Sequence, residues 1–381
     1  MHLKSIVTKL GKQLIFSRFS SFEYLNMESK LVSLSNMKDF MVRCMEKVGT
    51  DKQHSQQLVD VLVAADYRGH YSHGLNRLGM YVNDIKTGIC QPCGEPKIIK
   101  ETVATAYVNG NNLLGPVVGN FCMKLAIKKA KEVGIGWVVA KGSNHFGICG
   151  WYSMLASKEG LVGISFTNTS PIMATTRGKK AVLGTNPISV AAPAKGDEFV
   201  LDMAMTTVAF GKVEMQYRKN ESIPEGWGLN KDGKMTTDPM EVFNGGTLLP
   251  LGGEELTSGY KGYGLAMMTE IFCGLFGDSA YGPNIRKWLS TSTEANLGQC
   301  FVAIDPNVFA SGFEDRLSDL MNCYRKQEPA EGKDEVLVPG DPERCHMAKC
   351  DSEGGIRYHL NQIKYANDLA KELGVEPLHT S

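Results

Sequence analysis

No GxGxxG segment follows a strand-like apolar run anywhere in this 381-residue chain. Gly134-Ile135-Gly136 is a fragment of that pattern, but it precedes the apolar run at 137–140. If a dinucleotide binds here, it does not use the usual Rossmann fingerprint. No apolar stretch reaches the roughly 18–20 residues that a membrane span needs, so no membrane partner is expected. Neither sign of charge is in excess: 41 basic residues face 41 acidic ones. That balance leaves no global field for holding nucleic acid. The ten cysteines form no paired framework. Cys90 and Cys93 have CxxC spacing, but no second cysteine or histidine pair lies nearby in sequence. A turn with reduced thiols is expected there, not a zinc site, and no metal is expected elsewhere. Internal repeats and low-complexity tracts are also lacking.

The ordered pattern that remains is α/β. Residues 1–26 carry Lys4, Lys9, Lys12 and Arg18 with no acid before Glu23. They read as an unstructured extension or as a mitochondrial presequence, and Met27 is an alternative start. The catalytic unit is expected over 27–381, in the cytoplasm or, through that segment, in mitochondria. From Lys30 the pattern is helical, with Leu31, Met37, Phe40, Met41, Cys44 and Met45 on one face. Asp51 is a candidate cap for a second helix. A third helical run reaches about Lys86. Short β-prone runs follow at 97–100 and 102–108, then a helix to about Val133. Strands are expected at 136–140, 162–168, 181–183, 188–191 and 199–201, around a helix at 151–158. Beyond Gly211 the chain turns polar, and 248–264 reads as a glycine-rich surface wrap. An apolar helix that looks buried is expected at 263–276, a strand at 300–304 and a last helix at 355–373.

Chemistry concentrates in four places. Gly142-Ser143-Asn144-His145-Phe146-Gly147 follows the strand at 136–140. Glycines around a histidine at a strand end allow close approach of a ligand, and imidazole suits proton transfer near neutral pH. The alternative is a turn histidine held by local hydrogen bonds. Arg68 to Arg77, with Ser72-His73-Gly74 inside it, gathers a hydroxyl, imidazoles and guanidiniums at a helix start. His73 and Arg77 are four residues apart and share a face, and an arginine fork matches a carboxylate. An exposed polar cap would look the same. Gly184-Thr185-Asn186-Pro187 and Leu201-Asp202-Met203-Ala204 pair a turn with an aspartate that closes an apolar strand. That aspartate could meet a ribose, orient an imidazole or cap a helix. In Gly259-Tyr260-Lys261-Gly262-Tyr263-Gly264 a lysine among glycines suits a phosphate or carboxylate, or is a solvated loop lysine.

Taken together, these motifs resemble the malate/L-lactate dehydrogenase family of NAD(P)-dependent oxidoreductases, which includes sulfolactate and ureidoglycolate dehydrogenases. That family is distinct from the Rossmann-fold malate and lactate dehydrogenases. The resemblance spans about 28–375 and is carried by Ser72-His73-Gly74 with Arg77, Ser143 to Gly147, Gly184 to Pro187, Asp202-Met203-Ala204, Lys261 to Gly264 and Asn296-Leu297-Gly298-Gln299. It implies a non-Rossmann α/β fold with a central mixed sheet flanked by helices and an N-terminal helical segment. Substrate-site helices would lie at about 28–90, the cofactor-binding core at about 100–300 and a C-terminal helical segment at about 301–375. It also implies homodimers with sites near the subunit interface.

By the same resemblance, His145 is the acid/base and Ser72, His73 and Arg77 line the substrate pocket. Thr169, Asp202, Met203, Ala204 and Lys261 bind NAD or NADP, as do Asn296, Gly298 and Gln299 of the 296–299 loop. In imine-reducing relatives the proton role passes to other pocket residues, which here would be His73, with Asp202. The implied reaction is hydride transfer between NAD(P) and a small 2-hydroxy or 2-oxo acid such as malate or L-lactate. Arg77 would pair with the carboxylate and His145 would donate the proton. The rivals are reduction of a cyclic imino acid, a non-catalytic cofactor-binding relative, and a zinc hydrolase built on His70, His73 and His145.

Overall fold

The computed structural model describes residues 29–380. The 1–26 segment, and with it the question of targeting, lies outside the described residues. The chain enters as strand β1 (Ser29–Val32), where a helical pattern was expected from Lys30. The helix α1 (Leu34–Lys47) starts four residues later, where the Ser33 side chain accepts from the Asn36 amide at 3.2 Å. The earlier residues go to a strand because the far end of the chain supplies a pairing edge, which local periodicity cannot reveal. Met37, Phe40, Met41, Cys44 and Met45 of α1 are buried as expected. Asp51 caps α2 (Lys52–Tyr67), accepting from the amides of Gln53 and His54. A 3₁₀ turn (Leu75–Arg77) leads into α3 (Leu78–Lys86).

The centre of the molecule follows the expected alternation. It runs β2 (Lys97–Glu101), β3 (Thr105–Asn109), α4 (Gly115–Val133), β4 (Ile135–Ser143), α5 (Gly150–Ser157) and β5 (Val162–Thr167). Next come β6 (Met173–Ala174), which local pattern does not mark, and then β7 (Ala181–Leu183), β8 (Ile188–Ala194) and β9 (Asp197–Met203). The polar stretch after Gly211 is not only turns. It holds α6 (Phe210–Lys219), whose Val213 is buried with Ile223, Val242 and Leu248. Short strands β10 (Gly228–Leu229) and β11 (Met235–Thr236) come next, then α7 (Pro239–Phe243) and β12 (Thr247–Leu248).

The 248–264 piece does not simply wrap the surface. Leu248 is buried in β12, and α8 already begins within that piece (Gly259–Glu270). A Cβ on Gly262 would meet the Leu251 carbonyl at 2.4 Å, so the early turn of α8 lies against backbone. This helix continues into a π-helical turn (Ile271–Leu275). It is not buried all round: Leu275 and Phe276 are 54% and 58% exposed. After β13 (Leu297–Ile304) come α9 (Phe313–Arg325) and α10 (Asp341–Glu353), neither of which local pattern had marked. The last expected helix splits into β14 (Ile356–His359) and α11 (Leu360–Leu373).

The main sheet has seven strands in the order β2-β3-β4-β13-β5-β8-β9. β3 and β4 run parallel and the other neighbours antiparallel, which makes the sheet mixed. β13 straddles the core boundary expected at about 300 and sits between β4 and β5. Its side chains alternate, as a two-sided strand requires. Phe301 and Ala303 join the large core that includes α1 to α4 and α11. Cys300 and Val302 face the other way, toward Phe272 and Cys273 of the π turn. A five-stranded sheet, β11-β10-β12-β6-β7, and the pair β1-β14 complete the fold. Among the described residues no helix is long and apolar enough to cross a membrane.

Candidate active site

β4 ends at Ser143, and the loop that follows is held rigidly from behind. Ser143 Oγ donates to Gln299 Oε1 at 2.8 Å, and Gln299 Nε2 donates to the Asn144 carbonyl at 2.9 Å. Asn144 Nδ2 donates to Asn112 Oδ1 at 3.0 Å and to the Leu113 carbonyl at 2.9 Å. Gly115 lies so close that a Cβ there would stand 2.3 Å from the carbonyl oxygens of Asn144 and His145. Buried polar groups satisfied in this way fix one geometry.

His145 itself keeps partial access to solvent. The Gly147 amide donates to its Nδ1 at 3.3 Å, which makes that nitrogen an acceptor. Tyr81 Oη, 2.6 Å from the same nitrogen, is then a donor. The neutral ring therefore carries its proton on Nε2. The His73 ring stacks on that of His145 with centroids 5.9 Å apart and planes 20° from parallel. Burial, then the neighbouring His73, Arg77 and Arg286, hold the His145 pKa well below the usual imidazole value. His73 is pushed down to about 3, first by burial and then by Arg77 and His70. Both rings are neutral near pH 7.

Ser72, His73 and Arg77 come to the same place from the loop between α2 and α3. Ser72 Oγ and His73 Nδ1 are 2.8 Å apart. Arg77 Nε donates to the Ser72 carbonyl at 2.6 Å. The loop rests on Asp66, a fully buried carboxyl whose Oδ2 accepts from the Leu75 amide at 2.9 Å and from Tyr358 Oη at 2.7 Å. Burial lifts the Asp66 pKa to about 7. Gly74 is glycine for a steric reason, since its Cβ would stand 2.0 Å from the Asp66 carboxylate.

Four contributors escaped the sequence reading. Tyr81 lies one turn beyond Arg77 on the same helical face, and i, i+4 spacing could have found it. Trp288, Glu214 and the Arg286–Asp84 pair could not be found that way, because they come from distant segments. Trp288 lies 5.7 Å from the His145 ring and 5.3 Å from the Arg77 guanidinium carbon. Arg286 Nη2 meets Asp84 Oδ2 at 2.6 Å, with both side chains nearly buried, and this ties the Trp288 loop to α3.

The residues implied for the cofactor form two groups. Thr169 follows β5, and its amide donates to Asn186 Oδ1 at 3.1 Å. Its hydroxyl is 3.3 Å from that of Thr185. Asn186 in turn donates to Glu270 Oε1, and Asn168 to Glu270 Oε2, at 3.0 and 3.1 Å. Glu270 thus ties both turns to α8, the helix that displays Lys261. Met203 packs with Leu183, Ala266 and Tyr263 in the same region, and Ala204 follows it, half-buried. Asp202 accepts from the Gly150 amide at 2.7 Å, so it caps the start of α5, and burial raises its pKa to about 6.

Asn296, Gly298 and Gln299 lie behind the His145 loop. Asn296 Oδ1 accepts from the Gly142 amide at 3.1 Å. A Cβ on Gly298 would strike the Cys273 carbonyl at 2.1 Å, and Gly298 exchanges hydrogen bonds with Asn168. Gln299 is fully buried, with both ends of its amide engaged.

The first group suits a dinucleotide chemically. It offers two half-buried hydroxyls bonded to each other. It also offers a lysine that, among the described residues, no carboxylate pairs with, at the start of a helix that has no side-chain cap.

A family model described as malate/L-lactate dehydrogenase matches residues 32–365. The chain is 40% identical to a malate dehydrogenase of Pyrococcus horikoshii over 89% of its own length and 94% of that protein. It is 33% identical to an NAD(+) ureidoglycolate dehydrogenase of Escherichia coli K12, over 81% of this chain and 87% of that one. The solved malate dehydrogenase of Entamoeba histolytica superposes with a TM-score of 0.87 at 33% identity, covering 91% of this chain and 99% of that one.

Proposed function

The chain belongs to the malate/L-lactate dehydrogenase family, and from that premise we propose that it interconverts malate and oxaloacetate, with Arg77 anchoring the substrate and His145 moving the proton. It is an NAD(P)-dependent oxidoreductase of small 2-hydroxy and 2-oxo acids. The observation that carries the residue assignment is the meeting of His73 and Tyr81 at the half-buried His145, with Arg77 joined to it across the Trp288 ring. Malate is the favoured acid because of the 40% identical relative that bears that name.

In reduction, Arg77 pairs with the carboxylate and fixes the 2-oxo group against His145, and such orientation supplies several kcal/mol of the barrier reduction. NAD(P), when bound, supplies the hydride in reduction and takes it in oxidation. His145 Nε2 protonates the oxygen on which negative charge builds. Tyr81 and Gly147 hold Nδ1 and so keep Nε2 turned to the substrate. A carboxylate beside Arg77 offsets the positive charge that, with burial, depresses the His145 pKa. Substrate binding thus raises that pKa and draws in the proton to be transferred. Ser72 and His73 add hydrogen bonds to the substrate oxygens. Thr169, Met203, Ala204 and Lys261 receive the dinucleotide. Asp202, with one oxygen on the start of α5, and Asn296, Gly298 and Gln299, against the loop backbone, shape the site from behind.

The test is steady-state kinetics with oxaloacetate, pyruvate and a cyclic imino acid, each with NADH and NADPH. His145→Ala should lose about 10²–10⁴-fold in kcat while cofactor binding, read by fluorescence, persists. Arg77→Ala should chiefly raise KM. Near-wild-type kinetics for both variants would sink the assignment, and turnover of the imine alone would move the reaction to carbon–nitrogen reduction.

Assembly as a homodimer belongs to the same proposal. α8 and the π turn leave Met267, Ile271, Leu275 and Phe276 exposed. Beside them is an open cavity of about 730 Å³ lined by Trp137, Phe272 and Phe276. A contiguous apolar surface of this kind favours a protein partner, and a second copy of the chain is the partner we assign.

A further inference from the structure

Two of the five N–H donors of the Arg77 guanidinium, and one of its faces, are engaged before any substrate arrives. Nε donates to the Ser72 carbonyl at 2.6 Å. Nη2 faces Glu214 Oε2 at 3.5 Å. The Trp288 ring covers one side, 5.3 Å from the guanidinium carbon. An arginine receives a carboxylate on two parallel N–H bonds, either at its Nη1/Nη2 end or at its Nε/Nη2 edge. Ser72 is set in the turn anchored by Asp66, and its carbonyl occupies Nε. Both modes draw on Nη2, and there Glu214 brings a carboxylate of its own to one of the two N–H groups and to the same positive charge.

We propose that Glu214 competes with the substrate for Arg77, and that this contact sets how tightly the enzyme binds 2-oxo acids. The inference rests on the reading of Arg77 as the carboxylate anchor. Glu214 is the partner able to yield. Its contact is 3.5 Å long, whereas the Arg286–Asp84 pair that holds the Trp288 loop closes to 2.6 Å. The Glu214 side chain is 23% exposed, against 6% for Asp84. Glu214 stands on α6, whose first turn has no side-chain cap. That helix is anchored through the buried Val213, and Phe210 and Tyr217 lean on Phe243. Gly211 permits the approach, since even a Cβ there would lie 2.9 Å from Ser72 Cβ. When the substrate carboxylate takes Nη2, the Glu214 carboxylate is displaced toward solvent. A like charge that must be displaced weakens binding of every anionic substrate, and more so at low salt.

Glu214→Gln keeps the shape and removes the charge. In the full-length protein at saturating cofactor, the KM for oxaloacetate should fall roughly two- to fivefold, the scale of a weak ion pair, with a smaller change in kcat. Oxamate, a non-reacting 2-oxo acid analogue, reports the same step without turnover. Its Kd in the enzyme–cofactor complex, read from nicotinamide fluorescence, should fall in parallel, and the difference should shrink as salt is raised. Arg77→Ala, measured alongside, separates the two readings. If it leaves substrate KM and oxamate Kd unchanged, Arg77 is not the anchor and both readings fall. If it weakens binding while Glu214→Gln leaves oxamate Kd unchanged or raises it, the anchor stands and the competition is overturned. In that case Glu214 orients Arg77 for the substrate.

Discussion

Asp66 and His145 are ionisable groups that the fold holds away from their ordinary charge states, in opposite directions of charge and for the same reason. Burial is the first cause of both shifts. For His145, the acid/base we propose, the consequence would be catalytic, because a neutral ring waits for a charged substrate to make protonation favourable. For Asp66 the consequence is stability. Its pKa in the folded protein is about 7, against about 3.9 unfolded. The folded state therefore holds this proton more tightly than the unfolded state does. The contribution of Asp66 is fully present below about pH 4 and is lost as pH rises to about 7. Asp66→Asn cannot ionise and keeps an oxygen for the Leu75 amide and Tyr358. Thermal melts from pH 4 to 8 should show wild-type stability declining relative to the variant across that window and running level above it. Parallel curves would mean that Asp66 does not titrate there.

At the scale of elements, the His145 loop depends on a strand that arrives from far along the chain. β13 enters between β4 and β5 and brings Gln299 beneath Ser143 and Asn144. Gln299→Leu would leave the Ser143 hydroxyl and the Asn144 carbonyl without these partners inside the protein. Each such loss costs about 1–3 kcal/mol. Chemical denaturation should show a loss of that order. Because the loop carries His145, kcat should fall while the cofactor Kd, which we assign to groups around Thr169 and Lys261, changes little. An equal loss in both would show that Gln299 supports the sheet as a whole and not the loop.

At the scale of the molecule, the exposed side of α8 and the π turn sets the expected assembly. Leu275 and Phe276 together with Trp137 and Phe272 form an apolar face. A doubled substitution, Leu275→Glu with Phe276→Glu, adds two like charges where a partner would seat. Sedimentation velocity should show a dimer for the native chain and a monomer for the variant, with the far-ultraviolet spectrum retained. A native monomer would exclude this face as a constitutive interface.

Much of this protein was legible residue by residue. The buried face of α1, the Asp51 cap, the alternation from β2 to β9 apart from the short β6, and the cluster Ser72, His73, Arg77 and His145 all follow from local pattern, from motif order or from both. Helix and strand periodicity, capping and turn chemistry act over a few residues, so the sequence determined them by itself. The tertiary structure alone decided which distant groups complete the pocket. β1 is a strand because β14 lies beside it. The polar run after Gly211 becomes α6 because Val213 finds Ile223, Val242 and Leu248. Glu214 and Trp288 reach Arg77 and His145, and Gln299 reaches the backbone and side chain just before His145, only because the mixed sheet and the loops above it bring them there. The apolar helix at 263–276 looked buried because hydropathy records what a side chain prefers. Which of its faces meets the core and which is left for a partner depends on packing between elements far apart in the chain, and no local window contains that information.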